Sequence, residues 1–412
     1  MLPLSEAWYR RQLVAAVFLG VFGGLFALAF SLVTTWAIDG LFGDPASDPW
    51  SGEWWWIVLT AGGAVLVTAM RKALSVPDEV PGAIAMCKAA RVDPQLAPRL
   101  VIISVVSLVT GASLGPSLGI VVAGGGMGTW LVQRRLHDEP DAEAQYTLTG
   151  MSGAFGGAFT SPLFASILVT ELSPIKKMDY VASFIPQVLA ASIGYAIFFG
   201  VTGETMLGAF DVDAGYTFET KDLLLGVLLG VFAALTLLVH ASVGLVVRGV
   251  VARVKIPWLN AAVGGGLIGL IAFALPLTAD GGSNQLGYTA ENFDTLGIGL
   301  LIAVLLGKMV AMALSQEVGF LGGTVFPILF IGGTAGALVH AIFADIAAPL
   351  AIAAMIAALP GATISAPVSF ILIGVGGVAL GPSAIAPVGI AVITAYLAIS
   401  TVKFFKQQQD AM

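Results

Sequence analysis

Cysteine occurs once, at position 87, and histidine three times in a chain of 412 residues. A single thiol excludes a disulfide framework. His137, His240 and His340 lie far apart, and none has ligand spacing with another histidine, a cysteine or an acid, so no metal site is expected. Charge is scarce as well. Asp, Glu, Lys and Arg make up 10% of the residues against 58% hydrophobic, at a mean hydropathy of +0.95. No soluble globule of this length needs so apolar an interior. The few bases form no stripe for nucleic acid. Gly124-Gly125-Gly126-Met127-Gly128 lacks the strand of a dinucleotide-binding unit. No enzyme constellation appears, and no cofactor is expected. The first apolar stretch is not followed by a small-residue cleavage site, so it reads as a retained helix, and no soluble regulatory domain is expected.

What is present is hydrophobic sequence in spans. Stretches near 12–37, 54–70, 100–132, 145–172, 181–201, 222–247, 257–278, 295–314, 322–345 and 351–402 approach or exceed the ~20 residues that cross a bilayer as helix. Between ten and eighteen helical segments are expected, several of them incomplete spans. Of 18 Lys and Arg, 16 fall in one set of connections and at the two ends, from Arg10 and Arg11 to Lys403 and Lys406. The intervening loops 38–53, 203–219 and 279–294 hold 11 acids and no base. The positive-inside rule then places both termini in the cytoplasm of a multi-pass protein of the cell inner (plasma) membrane. Trp54-Trp55-Trp56 and Trp130 fit interfacial belts. Cys87 is expected in a cytoplasmic loop. Lys308 lies inside an apolar span, either sensing the permeating ion or serving as a buried partner for a carbonyl or acid.

The chain also resembles itself. Gly111-Ala112-Ser113-Leu114-Gly115-Pro116, with Ile120, Gly124, Gly125 and Gly128, aligns without a gap on Gly319 to Gly323, Ile328, Gly332, Gly333 and Gly336, an offset of 208. Thr160-Ser161-Pro162 parallels Ser365-Ala366-Pro367 at 205. Paired, glycine-interrupted apolar segments in two halves point to an inverted repeat with an ion site where broken helices meet, divided here as 1–205 and 206–412. A helix that begins in mid-membrane leaves amides unpaired and carries a partial positive charge, so it suits an anion. The turns at Ser113–Pro116 and Gly322–Pro327 are therefore the candidate cradles, offered by the backbone of Ser113, Leu114, Gly115, Gly323, Thr324 and Val325. The glycines spaced by three and four read as helix-packing positions.

At these residues the chain resembles the chloride channel and transporter (CLC) family over roughly 55–400. Its Gly-x-Glu-Gly-Pro pattern matches Ala112 to Pro116, and its Gly-Gly-x-Phe-x-Pro pattern matches Gly322 to Pro327. Its Asn-Ala-Pro…Glu segment is similar to Thr160 through Glu171, and Lys308 falls where the family often has an arginine. The resemblance implies an all-α integral membrane fold, a CLC-like inverted repeat of two halves with about 18 tilted and broken helices. It also implies a homodimer with one pore per subunit.

The departures bear on mechanism. Leu114 occupies the place of the family's gating glutamate, and Leu172 that of its inner proton acceptor. The serine of the family's central anion site corresponds to Asp78 within Pro77-Asp78-Glu79-Val80-Pro81. Counting on from Pro387, the pore tyrosine falls at Gln408, and Tyr396 comes too early. A leucine neither titrates nor mimics an anion, so the expectation is a passive, proton-uncoupled path for chloride or another small anion. Asp78 is either protonated at the site, placed on the wet side beside Lys88 or Arg91, or part of a cation site. Glu171 is either an inner relay or an interfacial carboxylate beside Lys176, and Glu317 poses the same choice. A cation or organic-anion pathway using Asp78, Glu79 and Glu171, or a non-transporting membrane scaffold, are the alternatives.

Overall fold

A computed structural model describes residues 4–43, 51–135, 142–159, 161–173, 180–204 and 216–410. Thr160, His137, Lys176 and Lys177, all used in reading the sequence, lie outside the described residues. The described chain folds into sixteen α-helices, and its only β pairing is one isolated bridge. In order they are α1 (Ala7–Phe42), α2 (Trp55–Ala73), α3 (Ala83–Ala89), α4 (Ala97–Val109), α5 (Ser117–Arg135), α6 (Ala142–Ala158), α7 (Pro162–Leu172) and α8 (Tyr180–Thr202). There follow α9 (Lys221–Val251), α10 (Pro257–Ala274), α11 (Ser283–Glu291), α12 (Ile298–Glu317), α13 (Val325–Ile342), α14 (Ala348–Pro360), α15 (Pro367–Gly377) and α16 (Ile385–Asp410). Helices α1 and α9 run unbroken for 36 and 31 residues.

Among the described residues, nine helical segments are long and apolar enough to cross a bilayer. Burial sorts them. The spans of α13 and α14 are 78% and 83% buried inside the protein, and they are apolar around their whole circumference, as an interior helix must be. Those of α2 and α16 are 28% buried and turn leucine and valine outward, where lipid replaces water as solvent.

Proline and glycine place the breaks. Pro162 and Pro367 open α7 and α15, where a missing N–H costs nothing. The starts of α5 and α13 lie 208 residues apart and those of α7 and α15 205 apart, the two offsets read from the repeat. Past the breaks, glycine lets helices touch along their backbones. A Cβ at Gly128 would lie 2.2 Å from the Tyr146 carbonyl, and one at Gly332 2.6 Å from that of Met355. These contacts join α5 to α6 and α13 to α14, as small residues do in membranes. Cys87, expected in a loop, is instead fully buried on α3, with its sulfur 3.7 Å from that of Met151.

Candidate functional site

The two glycine turns meet. The chain leaves α4 through Gly111 and α12 through Gly319, with φ of 93° and 92°, a conformation only glycine adopts without strain. Each turn closes as a Schellman motif. Gly111 and Ala112 donate to the carbonyls of Leu108 and Ser107, and Gly319 and Phe320 to those of Gln316 and Ser315. The turns then bond reciprocally. The Ser113 amide donates to Ser315 Oγ and the Leu321 amide to Ser107 Oγ, both at 3.0 Å. The Gly115 and Gly323 amides donate to each other's carbonyls, both at 2.7 Å. Every one of these pairs maps onto its counterpart by the offset of 208. The seam therefore lies on a pseudo-two-fold axis, and burial on both sides makes each bond costly to lose, about 1–3 kcal/mol.

This pairing redistributes the candidate donors. The amides of Ser113, Gly115 and Gly323 are spent on the seam, and that of Leu114 on the Ala112 carbonyl at 2.8 Å. The donors left over belong to the first turns beyond it. Ser117, Leu118 and Gly119 of α5, and Thr324, Val325 and Phe326 of α13, have no hydrogen-bond acceptor, because the first amides with one are those of Ile120 and Ile328. These two helix ends abut the seam from opposite sides. A Cβ at Gly323 would sit 1.6 Å from Ser117 Oγ and 3.1 Å from the Leu118 amide, and one at Gly115 2.9 Å from the Phe326 Cβ. The amides of Thr324 and Val325 thus stay without an acceptor, whereas those of Ser113, Leu114, Gly115 and Gly323 are paired.

Three serine hydroxyls join the free amides. Ser104, Ser113 and Ser117 are at most 1% exposed, and their Oγ atoms have no partner. The sequence reading passed over Ser117, although it directly follows the Gly-Pro turn. It also passed over Ser107 and Ser315, although both are serine at the 208 offset.

Cavities approach the seam from both sides. One of about 270 Å³ is lined by Thr34, Asp39, Leu114, Pro116, Glu204 and Asp280, and so collects residues from all three acidic loops. The other, about 310 Å³, is lined by Gly82 to Ala85, Lys88 and Gly322 to Thr324. Leu114, 1% exposed, floors the first against Gly322, where an added Cβ would lie 2.5 Å from its own Cβ. Behind it, Phe159 stacks on Phe326 at 5.4 Å and meets Phe164 edge-on at 4.7 Å. Leu114 lines the first pocket, and Gly322, against which it packs, lines the second.

The remaining candidates stand elsewhere. Asp78 is exposed and lines a third cavity of about 560 Å³ with Arg71, Lys72 and Glu317, and it is absent from the lining of the pocket at Thr324. Arg71 donates to the carbonyls of Pro77, Asp78 and Gly319 and so ties the Asp78 loop to the end of α12. Glu317 pairs with Arg248 at 2.9 Å. Glu171 caps a helix of the other half. Its carboxylate accepts the amides of Val368 and Ser369 at 3.0 and 2.8 Å, and the Ser369 hydroxyl, at the N-terminus of α15. A carboxylate there satisfies donors that Pro367 cannot, and it faces the positive end of the helix. Glu171→Gln is expected to lower the melting temperature in detergent, at a cost of about 0.5–2 kcal/mol, with ion efflux unchanged. Altered efflux at unchanged stability would restore the relay.

Lys308 is wholly buried and donates to the carbonyls of Thr278, Ala279 and Asp280 at 3.1, 3.2 and 2.7 Å, under the Phe330 ring at 5.1 Å. Its partner is a set of carbonyls. The strap it holds carries Asp280 and Gly281 to the acidic cavity, and a Cβ at Gly281 would lie 3.0 Å from the Leu114 carbonyl. Lys308→Met should cost about 1–3 kcal/mol for each carbonyl left without water, read as lost thermal stability. An unchanged melting temperature would remove its anchoring role. Tyr396 lies within α16 and lines none of the three cavities. No group of three or more metal-ligating side chains occurs among the described residues.

A family model described as voltage gated chloride channel matches residues 57–400. Over 222 residues the chain is 30% identical to an uncharacterized protein of Methanocaldococcus jannaschii, covering 53% of this chain and 54% of that one. Over 263 residues it is 24% identical to a putative ion-transport protein of Salmonella newport, covering 61% and 60%. The match thus spans little more than half the length of these curated relatives. A slow cyanobacterial Cl⁻/H⁺ antiporter superposes with a TM-score of 0.82 at 18% identity, over 95% of both chains. A CLC-type fluoride/proton antiporter gives 0.73 at 17%, over 94% of this chain and 95% of that one. These two likenesses concern the fold.

Proposed function

The chain belongs to the voltage-gated chloride channel family, and from that premise we propose that it is a passive, proton-uncoupled membrane pathway for a small inorganic anion, chloride first. The observation that carries this reading is Leu114. The residue between the acidic cavity and the seam is apolar, buried and unable to hold a proton. Exchange of anions for protons needs a titrating group that faces the anion path in turn with a proton path, and neither Leu114 nor Leu172 provides one. Glu171 is already engaged as a cap.

Affinity comes from the unpaired amides of Ser117 to Gly119 and Thr324 to Phe326, with the Ser117 hydroxyl beside them. Such dipoles attract an anion without a buried counter-charge. In this reading the chain comprises half-repeats 1–205 and 206–412, keeps both termini in the cytoplasm of the cell inner membrane, and pairs as a homodimer with one path per subunit. Lys88 at the Thr324 pocket and the acids near Leu114 support that orientation.

A second reading has its own observation. Asp39, Glu204 and Asp280 surround one mouth and would favour a cation there. Purified protein in liposomes, assayed for chloride, fluoride, nitrate and potassium efflux with internal pH recorded, separates the readings. Anion efflux without proton movement is expected. Proton movement at a fixed ratio to anion would overturn the uncoupled reading, potassium efflux the anion reading, and no efflux of any ion would leave a scaffold.

A further inference from the structure

On the basic side of the protein a groove of about 930 Å³ opens sideways between α1 and α5, away from the seam and its cavities. Its walls are apolar, formed by Val14, Phe18, Trp130 and Leu131, and the first three are 72%, 48% and 40% exposed. Its rim is cationic. Arg10 and Arg11 line it, and the Arg134 guanidinium lies over the Trp130 ring at 5.7 Å. Ala7, at the first turn of α1, lines the same groove. That helix end has no side-chain cap.

We propose that this groove binds one anionic phospholipid, its phosphate held between Arg10 and Arg134 and an acyl chain laid along Val14, Phe18 and Leu131. Complementarity decides the occupant. An apolar trough at the level of the spans is filled by hydrocarbon, since water gains nothing there. Two arginines at its mouth select a negative headgroup over a zwitterionic one. Trp130 marks the depth of the headgroup layer, where indole rings settle, and the arginine stems reach that layer from below it. The inference is independent of what passes through the protein.

Native mass spectrometry of the full chain in detergent tests it, with phosphatidylglycerol and phosphatidylcholine of identical acyl chains. Phosphatidylglycerol should be retained in preference. Arg10→Gln with Arg134→Gln should weaken its retention about fivefold per arginine, about 25-fold together. Val14→Trp keeps both charges and fills the trough, and should also displace the lipid. Arg253→Gln, an exposed base elsewhere on the same side, should change nothing. Equal retention of the two lipids, an equal loss with Arg253→Gln, or full retention by the Val14→Trp protein would each overturn the site. A two-chain mass that disappears with Val14→Trp would give the groove to a second copy of the chain instead.

Discussion

Leu114→Glu should convert a pH-indifferent efflux into a pH-controlled one. The substituted carboxylate would lie at the seam, beside the amides of α5 and α13 that would hold the anion in the proposed reading. Ionised, it competes for those donors as a tethered anion. It also repels a free one, by about 4 kcal/mol at ~4 Å for an effective dielectric near 20. Burial and a neighbouring anion both raise a carboxyl's pKa, so part of the population stays neutral and the full effect is not reached. Anion efflux at pH 7.5 should fall at least about tenfold below that of the unsubstituted protein and recover at pH 4.5, where the carboxyl is protonated. The sign is fixed: acid relieves the block. The same substitution should let protons move with the anion. Efflux equal to that of the parent at both pH values would show that the ion does not pass Leu114.

Gly323→Ala carries the second large effect. The added methyl would lie 1.6 Å from Ser117 Oγ and 2.8 Å from its Cβ, with the Leu118 amide at 3.1 Å. None of these atoms is the end of a long, yielding side chain. The seam must part, which removes two buried backbone bonds of 2.7 Å and strands their donors, at about 1–3 kcal/mol each. Loss of expression or of at least 3 kcal/mol of stability is expected, with efflux abolished. Ser117→Gly in the same chain removes the two nearest atoms and should restore the fold. The Gly323→Ala/Ser117→Gly protein then tests the hydroxyl: assembled but with weaker anion efflux if Ser117 donates to the ion. A double variant no more stable than Gly323→Ala would show that the collision lies elsewhere.

The meeting of the two turns was legible because it is written twice in the sequence. Gly111, Gly115, Gly319 and Gly323 align without a gap, and a break in mid-membrane has to be satisfied by something. What satisfies it was less visible. Reading the repeat as two cradles for an ion does not show that the amides of Gly115 and Gly323 face each other, each donating to the carbonyl of its own counterpart. Ser107 and Ser315 carried that information and were overlooked for lack of a glycine or proline to draw attention.

Other contacts lay beyond the reach of pattern. Glu171 finds Val368 and Ser369 across 197 residues, and nothing near Glu171 in the chain announces a capping partner so far away. Lys308 was left open between an ion and a carbonyl, and the three carbonyls that settle its contacts belong to a loop whose path no periodicity gives. Cys87 was assigned to a loop because α3 is seven residues long and breaks no hydrophobic rhythm.

The reciprocal seam also limits how such a molecule moves. Two short bonds between Gly115 and Gly323 act as a rivet driven through the midpoint of the chain. Swinging one lobe against the other would shear that rivet, and would do so beside the unpaired amides of α5 and α13. The economical motion leaves the rivet alone and turns only what surrounds it: a leucine rotamer above and a phenylalanine ring below. If the proposed pathway holds, a hub tied this way would stay still while side chains at its rim move, and opening should be as fast as side chains are.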